Sequence, residues 1–292
     1  MKIDHPWERK ALLESFAFRP LHAHITYLPS ESFPSLVDYN DLLPSGEKTI
    51  NVSNGKPLRF VAQDYGRLPF EAQYEPRCYL QGEVQTREEN WHDLFNALVW
   101  FAFPAAKRAI NDRHYAVLTS GLPKEGNSER GAVRDMNTLF DESGVVVPYA
   151  DDNLAESLRS FEWNALFWQR RTDVGRSIDF YLFGHGLYEK MLKPYVGLTA
   201  QGLLLKVDAT FFDLPLAQRL QRLDELLATY LNNPRHCVTT RELTPVPLLG
   251  IPGWTDENAQ QSYYDNTDYF RPARQSRAQC TPLNTAPSSV AG

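Results

Sequence analysis

The stretch Asn90 to Phe103, NWHDLFNALVWFAF, decides how the rest of the chain is read. Trp91, Leu94, Phe95, Leu98, Val99 and Phe101 make a helix that is apolar on several sides, and such a helix belongs in the middle of a core. Asn90 stands where an N-cap is needed, and Asp93 occupies the third helical position, close to a capping-box arrangement. Pro104 either kinks this helix or begins the next, from Ala105 to about Asp112.

On the C-terminal side, strands and helices alternate. His114 to Leu118 reads as a strand or a last helical turn, and Leu122 to Arg130, LPKEGNSER, as a flexible polar loop. Ala132, Val133, Met136, Leu139 and Phe140 recur at helical spacing before Asp141-Glu-Ser-Gly144 turns the chain into the strand Val145 to Val147. Asp151 and Asp152 are placed to cap a long helix reaching about Arg170. Ser177 to Phe183 is a strand that leads through Gly184-His185-Gly186 into a short helix, and Gly202 to Val207 is another strand. Pro215 to Leu231 is a surface helix with Asp213 positioned to cap it. The segment PVPLLGIPGW, from Pro245, suits an extended crossing that needs no ladder hydrogen bonds.

On the N-terminal side, prolines from Pro20 to Pro76 interrupt any long helix, and Asn54-Gly55 signals a turn or small hairpin. These elements predict an α+β or mixed α/β fold, one compact helix-rich domain with a small sheet over 1–270. The residues after Arg271 lack the apolar content needed to pack, which predicts a mobile tail over 271–292.

Apolar residues at 42% against 23% charged exclude a mostly disordered chain. A net charge of −6 argues against a broad nucleic-acid-binding surface. No uncharged apolar run reaches about 18 residues, so no membrane span is expected. The start, MKIDHPWERK, does not read as an export signal, and Cys78, Cys237 and Cys280 are isolated, so a reducing, cytoplasmic setting is expected.

Three polar constellations carry candidate chemistry. His92, Asp93 and Asn96 fall within about 100 degrees on the apolar central helix, and burying them requires partners. One reading makes His92 a metal ligand or base, with Asp93 a ligand or orienter; the other makes Asp93 a cap and leaves His92 facing solvent. His185 and Glu189, at i and i+4 in GHGLYEK, share a helix face and suit one divalent ion, or else an ordinary structural network. Arg134, Asp135, Asn137, Asp141 and Glu142 offer carboxylates for an oxygen-rich site and a guanidinium for an anion, or equally a plain turn with helix-pairing charges. His114 is free to join either histidine cluster. The HExxH, GxSxG, GxxxxGK[ST] and GxGxxG signatures are absent from the sequence. Trp163 and Trp168, near Arg170 and Arg171, read as core packing with surface arginines rather than a base-stacking patch.

The blocks NWHDLFNALVWFAFPAAKRAIN from Asn90, RGAVRDMNTLFDESG from Arg130, FEWNALFWQRR from Phe161, FGHGLYEKMLKPYVGLTA from Phe183 and LLGIPGWTDENAQQSYYDNTDYFRPAR from Leu248 together resemble a bacterial family of uncharacterised proteins, catalogued as a domain of unknown function. The resemblance runs from about Asp38 to Arg274 and implies a single family-wide domain, with no activity attached.

The enzymatic expectation is a metal-dependent hydrolase acting on a phosphoester. His92, Asp93, His185 and Glu189 would ligate a divalent metal, Asp135 or Asp141 would serve as ligand or base, and Arg134 would steady an anionic small molecule. The alternative is a non-catalytic binding or scaffold protein whose polar groups satisfy one another. One prediction concerns the tail: from Arg277 onward it has no acidic residue, and deleting Thr281 to Gly292 should leave the thermal midpoint nearly unchanged. A loss of more than a few degrees in a melting experiment would show that these residues pack.

Overall fold

Helix Trp91–Ala102 is buried on nearly every side, as its sequence requires, with Leu94, Phe95, Ala97, Leu98 and Val99 fully enclosed. The computed structural model describes residues 5–120 and 129–272. The polar loop expected over 122–130 lies outside the described residues as far as 128, and the tail does so from 273 onward.

In chain order the regular elements are α1 (Arg9–Glu14), α2 (His22–Ile25), α3 (Leu36–Asp41), β1 (Arg59–Ala62), α4 (Tyr74–Gln81), β2 (Glu83–Thr86), α5 (Trp91–Ala102), α6 (Pro104–Thr119) and α7 (Glu129–Ser143). They continue as β3 (Gly144–Tyr149), α8 (Asp152–Arg159), β4 (Tyr181–Leu182), α9 (His185–Met191), β5 (Thr199–Lys206), α10 (Leu216–Asn232) and β6 (Thr244–Pro247). Several short 3-10 turns join them. A four-stranded sheet has the order β4-β3-β5-β6, with β3 and β5 parallel and the outer strands antiparallel to them. β1 and β2 form a separate parallel pair. The chain is thus a single mixed α/β domain, rich in helix, around one continuous core from Leu12 to Phe270. Among the described residues no helix is long and apolar enough to cross a membrane.

Local chemistry explains each element. Strand β3 reads GVVVPY and its first five residues are buried, the pattern of a strand covered on both faces. The side chain of Asn90 accepts the Asp93 N–H at 3.0 Å and starts α5, but Asp93 does not complete a capping box because Arg87 engages its carboxylate. Pro104 begins α6, whose first free N–H groups, those of Ala105 and Ala106, are taken at 3.0 and 2.8 Å by Asp224 of α10. Burial raises this carboxyl to about 6, with the two N–H groups opposing the rise.

The structure departs from the pattern in instructive places. His114 to Leu118 is not a strand but belongs to the final turns of α6, the helical one of the two alternatives, with the helix ending at Thr119. The helix expected to run to Arg170 stops at Arg159. There Phe161 takes a φ of 59°, and the Glu162 N–H bonds to Ser157 O while the Phe161 N–H bonds to Leu158 O. That pairing is a Schellman stop without glycine, held by the Phe161 and Trp163 rings at 5.3 Å. Asp213 does not cap α10, which starts behind Pro215 without a side-chain cap. Thr244–Pro247 pairs with β5 rather than crossing unpaired, and its prolines are tolerated because β6 is an edge strand. Asp141, Glu142 and Ser143 form no turn; they remain helical to the end of α7, which passes directly into β3.

Leu98 has no exposed surface, so Leu98→Ala should cost about 2 to 5 kcal/mol in denaturant unfolding. A change below about 0.5 kcal/mol would contradict a central position for α5.

Candidate metal centre

Four helices bring their polar residues to one place beside α5. α5 contributes His92 and Asn96, α6 contributes Lys107, α7 contributes Asp141 and Glu142, and α9 contributes His185 and Glu189. The start of α9 lies hard against the end of α7. A Cβ on Gly184 would meet the backbone nitrogens of Ser143 and Gly144 at 2.5 Å, and one on Gly186 would meet Glu142 Oε2 at 2.7 Å. The glycines on either side of His185 are what let the imidazole reach Glu142.

The geometry at this junction is compact. His92 Nε2 and His185 Nε2 are 3.0 Å apart, His185 Nε2 is 3.4 Å from Glu142 Oε1, and His92 Nε2 is 3.7 Å from that oxygen. A triangle with these edges has its circumcentre about 2.0 Å from each corner, and ligands at about 2.0 to 2.1 Å round a tetrahedral ion stand about 3.3 Å apart. The three atoms therefore have the spacing of one face of such a coordination shell. His92, Glu142 and His185 are a cluster geometrically able to chelate a metal ion.

Behind each imidazole stands a carboxylate. Glu189 Oε2 is 3.3 Å from His92 Nδ1, and Asp141 Oδ2 is 3.8 Å from His185 Nδ1, a buried nitrogen with no hydrogen-bond partner among the described residues. Carboxylates in this position orient a ligating ring and fix the proton on the outer nitrogen. Contact with His185 holds the Glu142 carboxyl below its usual range despite burial. Burial alone would raise Asp141, but Lys107, His185 and His114 together hold it low. Lys107 Nζ, only 4% exposed at the side chain, donates to both Asp141 oxygens at 2.6 and 2.8 Å and to Asn96 Oδ1 at 2.9 Å.

The cluster lies in the wall of a cavity of about 760 Å³, whose lining also includes Tyr74, Glu75, Arg67 and Thr138. Of the residues singled out from the sequence, His92 and His185 meet directly, and Asp141 and Glu189 stand behind them. Asp93 also lines the cavity, yet its carboxylate accepts the Arg87 backbone N–H at 2.6 Å and the guanidinium at 2.7 and 2.9 Å. Arg134 and Asp135 are exposed on α7 and are not among the lining residues. His114 is buried in the wall, with Glu75 nearby.

Glu142 stood among the candidate carboxylates, but read as part of a turn it carried no direction toward His185. Its signal was the glycine on each side of His185, which marks a close backbone approach without naming the neighbour. Lys107 had no signal, because AAKRAIN reads as an ordinary helix, and Tyr74 had none because it lies in the proline-interrupted N-terminal part without a motif.

The family model described as a protein of unknown function, DUF3025, matches residues 58–274, a span that contains every residue of this centre. No curated protein and no solved structure matches the chain. With the model covering well over half of its length, the chain belongs to the DUF3025 family.

Proposed function

We propose that this protein is a metal-dependent hydrolase, acting in the cytoplasm, in which His92, His185 and Glu142 hold one divalent ion. The observation that carries this reading is the triangle of ligand atoms with edges of 3.0, 3.4 and 3.7 Å. Two neutral imidazoles and one carboxylate form a donor set suited to zinc or a similar first-row ion, and three protein ligands leave coordination free for water or substrate. Such an ion supplies Lewis acidity and brings a water proton into the neutral pH range.

The chain's own residues do the rest. Glu189 holds the His92 ring through Nδ1, and Asp141, kept in place by Lys107, stands 3.8 Å from Nδ1 of the His185 ring. An anionic small molecule, a phosphoester in this proposal, would find Arg67 among the residues of the cavity wall, whereas the Arg87 guanidinium is engaged by Asp93. Arg134 and Asp135 have no part in it.

A second reading, a non-catalytic binding protein, rests on the same 3.0 Å contact taken as a hydrogen bond between the two rings. Among the described residues His185 Nδ1 is buried and unpartnered in either reading.

Metal binding separates the two. Protein purified without chelators should bind one equivalent of zinc in elemental analysis and calorimetry, and His185→Ala should lose it while staying folded by circular dichroism. Glu189→Gln, which disturbs only the carboxylate behind His92, should weaken affinity by about 10- to 100-fold. Absence of stoichiometric binding to zinc, manganese or magnesium would favour the second reading.

Catalysis is tested on bis(4-nitrophenyl) phosphate, 4-nitrophenyl phosphate and 4-nitrophenyl acetate. Release of nitrophenol should require added metal, vanish on chelation, and fall at least about a hundredfold in His185→Ala. Activity that survives in that variant would place the reaction elsewhere.

A further inference from the structure

Lys107 fixes the direction of a hydrogen-bond chain that ends in the cavity. An ammonium only donates, so the part of Asn96 that lies 2.9 Å from Lys107 Nζ is its carbonyl oxygen. The amide nitrogen of Asn96 then points the other way, where it donates to the phenol oxygen of Tyr74 at 2.7 Å. An acceptor site on that oxygen is therefore filled, and the hydroxyl hydrogen of Tyr74 must seek another acceptor. Among the described residues no protein group accepts it.

Tyr74 opens α4 and lines the same cavity as His92, Glu142 and His185. Asn96 stands one helical turn beyond His92 on the same face of α5. We propose that the Tyr74 hydroxyl is a preset hydrogen-bond donor for a negatively charged oxygen of the substrate, of the kind a phosphoryl group carries. This role rests on the metal centre proposed above, which would bring such an oxygen into the cavity.

Three features make the donor effective. Tyr74 is 38% exposed as a residue, but desolvation of its phenol, with Glu75, Cys78 and Asp141 nearby, holds the group well above its ordinary pKa, so it keeps its proton. Lys107 Nζ has three acceptor oxygens within 2.9 Å and is not among the cavity-lining residues, so the cation does not compete for the substrate. The ammonium behind Asn96 polarises the amide and strengthens its bond to the phenol, which in turn makes the phenol a better donor.

The test uses the full chain and inorganic phosphate as the probe. Zinc stoichiometry is measured first, then phosphate is titrated calorimetrically into the zinc-loaded protein. Tyr74→Phe should bind zinc normally and bind phosphate roughly tenfold to a hundredfold more weakly, the worth of a hydrogen bond to a charged group. Asn96→Asp puts a second acceptor where the donating amide stood, which draws the phenol hydrogen away from the cavity. In that background Tyr74→Phe should cost no further phosphate affinity.

A Tyr74→Phe protein whose phosphate affinity stays within twofold of the parent overturns the inference alone, as does zinc-loaded parent protein that binds no phosphate. An equal loss in both backgrounds also overturns it, since the direction of the phenol would not depend on Asn96. A parent protein that binds no zinc removes the metal centre and this inference together. If Asn96→Asp fails to fold, the Tyr74→Phe titration decides the matter.

Discussion

One buried ammonium holds the candidate site together. Lys107 Nζ binds Asn96 of α5 and Asp141 of α7 from its own place on α6, and so ties α7 to the adjoining pair α5 and α6. A buried ion pair is rarely a large net source of stability, but breaking one side of it costs about 3 to 5 kcal/mol because the other charge is left unpaired. Its structural value here lies in direction. Asp141 is held on the His185 side, 3.8 Å from Nδ1, and Asn96 on the Tyr74 side, where its amide bonds the phenol.

The charge arrangement around the cavity follows from such pairings. Asp141 is matched by Lys107, Asp93 by Arg87, and Asp64 by Arg77. Glu75 is half-buried, and desolvation raises its carboxyl, with His114 and Asn111 opposing the rise. Glu142 differs from the three paired aspartates, since its contacts are the two imidazoles and no lysine or arginine pairs with it among the described residues. A cation between the rings would meet a carboxylate whose charge is not already spent on a guanidinium or an ammonium. The apolar body around this polar group is continuous, and rings such as Phe95 and Tyr188 stack within 5.6 Å behind it.

Much of the frame was legible in the sequence because its signals are local. The all-round apolar character of Trp91 to Phe103, the capping position of Asn90, the valine run of β3 and the glycines beside His185 act through residues adjacent in the chain or one turn away. The failures had local causes as well, but ones that pattern does not weigh. A left-handed Phe161 ended α8 where no glycine warned of it, and Gly144 began a strand straight from helix where Asp141-Glu-Ser looked like a turn.

The sequence by itself determined that a buried helix would carry His92 and Asn96, and that a glycine-flanked His185 would follow a strand with Glu189 one turn on. Periodicity and backbone sterics are properties of short segments, and they suffice for this. Only the tertiary structure decided that His92 and His185, 93 positions apart, meet at 3.0 Å. It also decided that Glu142 rather than Asp93 or Glu189 completes their triangle, and that Lys107 is an internal cation. The physical reason is that burial and ion pairing act between segments remote in sequence. Arg87 occupies Asp93, and the packing of α9 on α7 delivers Glu142, and neither contact has a pattern along the chain.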